Sequence, residues 1–176
     1  MKDRKLLNSE LHRINAEQYR EIPESGMVLV LDNIRSAHNV GSAFRTSDAF
    51  KVDKVMLCGI CAIPPSAEIH KSALGAEISV PWEHHDDTME AIESLKAEGY
   101  TIVSVEQTEK SVSLEDFTPS KDTRYAFVFG NEVDGVQQQV VDASDLSLEI
   151  PQWGTKHSLN VSVSVGVVLW HVRHQI

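Results

Sequence analysis

Three short stretches of the chain carry the residue types that could do chemistry. The first is Asp32-Asn33-Ile34-Arg35-Ser36-Ala37-His38-Asn39-Val40-Gly41-Ser42-Ala43-Phe44-Arg45, with a cation four residues beyond a glycine. On a helix that spacing puts Gly41 and Arg45 on one face, so a ligand or a second backbone can come close beside a guanidinium suited to anions. The second is Phe129-Gly130-Asn131-Glu132-Val133-Asp134-Gly135-Val136, in which an amide and a carboxylate directly follow an aromatic-rich apolar run. A charge there has no packing role. The third is Ile150-Pro151-Gln152-Trp153-Gly154-Thr155-Lys156-His157-Ser158-Leu159-Asn160-Val161, a loop shaped by Pro151 and Gly154 that ends on two short hydrogen-bonding side chains, Ser158 and Asn160. Each candidate also has a structural reading: a surface ion pair for Arg45, a helix cap for Asn39, a solvated loop for Glu132, and turns or caps for Ser158 and Asn160.

Other reactive side chains carry weaker signals. Cys58 and Cys61 are the only cysteines, too few for a disulfide framework or a four-thiolate zinc site. At the end of an apolar run they read as two small buried side chains ahead of a redox pair. His84-His85-Asp86-Asp87, and His171 with His174, have metal-ligand residue types but read as solvated surface, so no metal is expected. The net charge of −10 gives no global basic footprint for nucleic acid. A polyanion would have to be held by local density, from Arg35, His38, Arg45, Lys71, Lys156 and His157 in or near these loops.

The elements that must position these stretches follow from hydrophobic patterning. With 176 residues, 41% of them hydrophobic, the chain can bury a core without disulfides or metals. The charged opening residues and the lack of any apolar stretch near the ~20 residues of a membrane helix predict a cytoplasmic protein without a membrane partner. Val28–Leu31, Val55–Leu57, Ile102–Val103 and Ala126–Phe129 are unbroken apolar runs, as in strands covered on both faces. Between them, Val40, Ala43, Phe44 and Ser47 share a helical face behind a candidate cap at Asn39, and Met89, Ile92 and Leu95 share another between Asp87 and Gly99. The alternation predicts an α/β fold, a mainly parallel sheet flanked by helices. Such sheets bind ligands beyond the carboxyl ends of their strands, where the three stretches are expected to fall.

Leu6, Leu7, Leu11 and Ile14 predict an amphipathic helix within residues 2–19, making residues 1–24 a short N-terminal helical extension of a main domain over 25–176. Residues 106–123 are polar, carry Pro119, and read as a solvated connection with about one helical turn. The last segment is ambiguous. Val161 to Val165 alternates like a strand, while Val161, Val165, Val168, Leu169 and Val172 fit one helical face equally well.

In order and wording the three stretches resemble the motifs of the SpoU/TrmH family of RNA 2′-O-methyltransferases, within the SPOUT superfamily. The matches are Asn-x-Gly-x-x-x-Arg continued by Thr46-Ser47-Asp48-Ala49, then Phe-Gly-Asn-Glu-x-x-Gly-Val, then Ile-Pro followed by Ser-Leu-Asn-Val-Ser-Val. The resemblance runs from Val28 to Trp170. It implies an α/β domain with a deep C-terminal trefoil knot, an exception to the rule against threaded chains, with a helical closing segment and a homodimer whose sites lie near the interface. It implies S-adenosyl-L-methionine as cofactor, S-adenosyl-L-homocysteine as product, and a ribose 2′-hydroxyl of tRNA or rRNA, guanosine preferred, as methyl acceptor.

By the same resemblance Arg45, supported by Asn39, and Glu132, Ser158 and Asn160 are the catalytic positions. The backbone around Gly130, Ile150 and Leu159, with Asn160, holds the cofactor; from the local density of positive charge, Arg35, Arg45 and Lys156 are the expected RNA contacts. No Gly-x-Gly-x-x-Gly occurs, so a Rossmann-type site is not expected. An arginine is ordinarily protonated, which leaves two accounts of Arg45. Its pocket makes it basic, or it holds an RNA phosphate while another group takes the hydroxyl proton. An alternative under the same resemblance is a catalytically inactive assembly factor that binds S-adenosylmethionine and RNA.

Overall fold

The computed structural model describes residues 3–176. Its elements run α1 (Ala16–Glu21), β1 (Met27–Asp32), α2 (Ala37–Phe50), β2 (Lys54–Cys58), α3 (Ala67–Ala73), α4 (Ala76–Ser79), β3 (Trp82–His85), α5 (Thr88–Ala97), β4 (Thr101–Val105), β5 (Val112–Ser113), β6 (Tyr125–Gly130), α6 (Gln138–Ala143), β7 (Leu146–Glu149) and α7 (Val161–Arg173). The strands form one sheet in the order β3-β2-β1-β6-β4-β7-β5, every pair parallel. This is the expected α/β architecture.

Strand β1 lies between β2 and β6 and is buried along its whole length. Its side chains alternate. Met27, Leu29 and Leu31 enter one core, with Phe44 of α2, Ile69 of α3 and Val165 and Leu169 of α7, while Val28 and Val30 enter a second core with Ile92 and Leu95 of α5 and Val140 of α6. Helices on both faces explain why the strand runs are continuously apolar. Because β1 and β6 are adjacent and in register, Asp32 pairs with Gly130, and the first two motif stretches leave the sheet side by side.

Helix α2 is capped by Ser36, whose hydroxyl accepts from Asn39 N at 3.2 Å. Asn39 is therefore not the cap; it lies in the first turn with its side chain free for other contacts. Gly41 has a packing reason. A Cβ there would lie 2.1 Å from Ser72 Oγ and 2.4 Å from the Ile69 carbonyl, so the backbone that comes close is that of α3. Helix α5 starts at the predicted cap, Asp87 accepting from Met89 N at 3.0 Å, and ends before Gly99, whose φ is +86°. The ambiguous C-terminal segment is helical. Val161, Val165, Val168, Leu169 and Val172 face the core, and that burial outweighs the modest helix propensity of valine.

The predicted N-terminal helix does not form as expected. Lys2 lies outside the described residues; beyond it come a 3-10 turn at Asn8–Glu10 and the short α1, and Leu6, Leu7, Leu11 and Ile14 are exposed. An apolar stripe becomes a helix when it finds a surface to cover, and here only Tyr19 does so, its hydroxyl donating to the Val52 carbonyl at 3.1 Å. Residues 106–123 contain the anticipated single turn, at Leu114–Asp116, and also the short edge strand β5.

Candidate active site

The loop after β6 is wound tightly around its two glycines. A Cβ on Gly130 would lie 1.9 Å from the Gly135 carbonyl carbon, and Gly135 itself has φ +68°, which favours glycine. Asn131 closes the turn. Its Oδ1 accepts from Val133 N at 3.0 Å and Asp134 N at 2.9 Å, and its carbonyl accepts from Gly135 N at 3.0 Å. Glu132 projects from this turn toward α2.

There Asn39, only 8% exposed, donates its Nδ2 to Glu132 Oε1. Its Oδ1 accepts from Asn160 Nδ2 at 3.3 Å. Asn160 in turn caps α7, its Oδ1 accepting from Ser162 N at 2.9 Å and Ser162 Oγ at 2.6 Å. Each amide has its donor and acceptor ends fixed by a neighbour, so the chain Ser162–Asn160–Asn39–Glu132 has one hydrogen-bond direction, ending on the carboxylate. The three motif stretches meet in this chain.

Beside it opens a cleft of about 290 Å³. Phe129, Leu148, Ile150 and Leu159 give it apolar walls, and Gly130, Gln152, Ser158 and Ser164 contribute polar edges. Glu106, Glu132, Asp134 and Glu149 also line it, with no lysine or arginine among the lining residues. The cleft is thus a site for a ligand with apolar faces and positive or neutral charge.

Residues 26–170 match the model of the SpoU rRNA Methylase family. The chain belongs to that family. It is 31% identical over 170 residues, 96% of this chain and 67% of the relative, to the 23S rRNA (guanosine-2'-O-)-methyltransferase RlmB of Neisseria meningitidis serogroup B. It is 29% identical over 171 residues, 97% of this chain and 78% of the relative, to the tRNA (guanosine(18)-2'-O)-methyltransferase of Aquifex aeolicus. Among solved structures, an AdoMet-bound rRNA methyltransferase from Sinorhizobium meliloti is similar with a TM-score of 0.80 at 26% identity, covering 89% of this chain and 59% of that one. The chain spans 58–67% of the length of the first curated relatives it matches.

For this SpoU family member the predicted site residues divide into three groups. Asn39, Glu132 and Asn160 are joined by hydrogen bonds, and Gly130, Ile150, Ser158 and Leu159 line the cleft with Glu132. Arg45 belongs to neither group. It is exposed on α2, six residues beyond Asn39, beside a shallow apolar groove formed with Thr46, Ala49, Phe50, Val163, Gly166, Val167 and Trp170. No hydrogen bond or ion pair of Arg45 is present among the described residues, so Asn39 bonds Glu132 and Asn160 and makes no hydrogen bond to Arg45. Arg35 and Lys156 are exposed, on the loops after β1 and β7.

Cys58 and Cys61 are buried and form no disulfide, and burial pushes their thiols up to about 12 and about 11, the opposite of an activated thiol. Among the described residues no group of histidines, cysteines and carboxylates could hold a metal ion, and no helix is long and apolar enough to cross a membrane.

Sequence reasoning missed several residues. Asp32 is fully buried at the end of β1 and accepts four hydrogen bonds, from Asn33 Nδ2, Thr88 Oγ1, Gln137 N and Gln137 Nε2. It ties the chain after the Gly130–Val136 loop to the sheet. A charged residue closing an unbroken apolar run was the available signal. Glu106 and Gln107, after β4, line the cleft with no motif to mark them, and Trp153 stands 88% exposed in the loop before α7.

Proposed function

We propose that this protein transfers the methyl group of S-adenosylmethionine to a ribose 2′-hydroxyl of rRNA or tRNA, with guanosine the favoured nucleotide. The observation that carries this reading is the chain Ser162–Asn160–Asn39–Glu132, drawn from all three motif stretches and standing beside the cleft in a SpoU family member. The cleft suits the cofactor: its apolar walls fit an adenine, and its carboxylates suit a molecule with net positive charge. When bound, the cofactor supplies an electrophilic methyl group on a sulfonium. The backbone around Gly130, Ile150 and Leu159 holds it.

The remaining roles belong to this chain's side chains. Asn39 and Asn160, locked by their neighbours, present fixed dipoles where the acceptor ribose docks, and preorganised dipoles stabilise developing charge without reorganising. The Ser158 hydroxyl, on the cleft wall, is free to orient that ribose. Arg45 takes the phosphate of the target nucleotide and polarises its hydroxyl, because an unpartnered guanidinium is a poor base and a good bidentate phosphate ligand; the hydroxyl proton passes to water as the oxygen takes the methyl group, and S-adenosylhomocysteine is the leaving thioether. Arg35 and Lys156 extend the phosphate contacts, and the exposed Trp153 ring offers a face on which an unstacked base can rest.

We read the groove between α2 and α7 as the homodimer surface. Val163 and Trp170 are 51% and 58% exposed on the outer face of α7, and a second copy seated there would bring its own groups beside Arg45. Light scattering should give a dimer that Val167→Glu converts to monomer; a monomeric parent protein would refute this. The return of the chain from β7 to α7, packed on α2 and β6, is read as the closure of a trefoil knot. We assign the methyltransferase unit to residues 25–176, with 1–24 as an appended segment, and a cytoplasmic site of action where its RNA is made and matured.

The test is methyl transfer from labelled S-adenosylmethionine to unmodified tRNA and 23S rRNA transcripts. Label in an alkali-resistant dinucleotide at a guanosine is expected, whereas label in a base, or in no RNA, refutes the reading. Arg45→Lys should nearly abolish transfer while leaving cofactor affinity intact.

A further inference from the structure

We infer that Glu106 and Gln107, the two residues that follow β4, are positioning residues that clamp both loops of the cofactor cleft; this rests on the cofactor reading above. The dipeptide is anchored to the sheet, Glu106 N donating to the Leu148 carbonyl at 3.0 Å. From there its two side chains reach in different directions. Glu106 Oε2 accepts from Val136 N at 3.0 Å, and its Oε1 accepts from Gln107 N at 2.8 Å, which fixes the carboxylate's orientation. The carboxylate lies directly on Gly135, where a Cβ would come within 2.2 Å of Oε2. It thereby holds the far end of the Gly130–Val136 loop.

Gln107 holds the other wall. Its Nε2 donates to the His157 carbonyl at 2.7 Å. Among the described residues this is the one hydrogen bond that reaches residues 151–159, a segment that is otherwise exposed from Trp153 onward. That segment carries Gln152, Ser158 and Leu159 into the cleft. One strand end therefore sets the position of both the second and the third motif loops. Removing either contact leaves a loop that binding must order at its own expense in affinity.

The test uses the full chain, with S-adenosylmethionine titrated into the parent protein, Glu106→Ala, Glu106→Gln and Gln107→Ala, and with methyl transfer measured at saturating cofactor. Each alanine variant should weaken binding about tenfold, the equivalent of one hydrogen bond, with kcat held within about threefold. Glu106→Gln keeps its oxygen for Val136 N and turns its NH2 toward Gln107 N, an exposed N–H that water can satisfy, so it should stay within about threefold of the parent. Hydrogen exchange should rise at residues 130–136 in Glu106→Ala and at 151–159 in Gln107→Ala, with the remaining strands unchanged. Parent-like affinity in both alanine variants overturns the clamp. So does a Glu106→Gln as weak as the alanine, since the carboxylate would then be contacting the cofactor itself. A parent protein that binds no S-adenosylmethionine refutes the cofactor reading instead, and hydrogen exchange then decides the clamp alone.

Discussion

Replacing Asp32 by asparagine tests whether the buried carboxylate holds the second motif to the sheet. Asp32 has no solvent exposure, and its Oδ1 accepts from Asn33 Nδ2 at 2.8 Å, Thr88 Oγ1 at 2.7 Å and Gln137 Nε2 at 2.7 Å, while Oδ2 accepts from Gln137 N at 2.9 Å. An asparagine of nearly the same shape must point its NH2 group at donors. The best arrangement turns that group toward Gln137 N, leaving a part-buried backbone N–H unpaired at a cost of about 1–3 kcal/mol. The other three bonds lose charge assistance, about 1 kcal/mol each, offset in part because a buried charge no longer has to be desolvated. The net loss should be about 2–4 kcal/mol, which for a chain of this size lowers Tm by roughly 5–15 °C. Urea unfolding followed by circular dichroism measures it. S-adenosylmethionine affinity should fall with it, because Gln137 directly follows the Gly130–Val136 loop. A loss below about 1 kcal/mol would refute this account, since four bonds to a buried carboxylate cannot be exchanged that cheaply.

Three further outcomes are expected. Gly130→Ala forces the loop apart, because the new Cβ would sit 1.9 Å from the Gly135 carbonyl carbon, and isothermal titration should show cofactor binding weakened at least tenfold, roughly the 1–3 kcal/mol of an overpacked site; parent-like binding would count against the tight loop. Neutralising Asp134 and Glu149 together should weaken S-adenosylmethionine about threefold more than S-adenosylhomocysteine, which lacks the sulfonium charge, and equal weakening of both would show that the cleft's field does not act on that charge. Cys58 and Cys61 should react slowly with a disulfide reagent at pH 8 until urea exposes them. Burial raises their folded values, to about 12 and about 11, above the ordinary 9.0, so their contribution to stability is complete below pH 9 and is lost as pH rises from 9 toward 12. Flat stability across that window would contradict their burial.

The sequence by itself located the four central strands, β1, β2, β4 and β6, and the three loops that meet beside the cleft, whereas β3, β5 and β7 are short and interrupted by polar residues and were not legible as apolar runs. Unbroken apolar runs at Val28–Leu31 and Ala126–Phe129 require cover on both faces, and a parallel sheet with helices on each side supplies it, so the loops after those strands had to share one edge. Local pattern also located the Asp87 cap and the turn within 106–123. It went wrong where a local reading competed with a distant partner. Leu6, Leu7, Leu11 and Ile14 have helical spacing but no surface to cover, and Asn39 looks like a cap only while the residues it serves are out of sight.

Only the tertiary structure decided who touches whom. Asn39 meets Glu132 across 93 positions and Asn160 across 121, and Asp32 meets Gln137 across 105. No periodicity of 2 or 3.6 residues encodes such contacts, because they depend on which strands become neighbours and on where α7 returns. The same long-range packing chose helix over strand for Val161–Arg173, turned Gly41 toward α3, and set Arg45 apart from the residues it was expected to join.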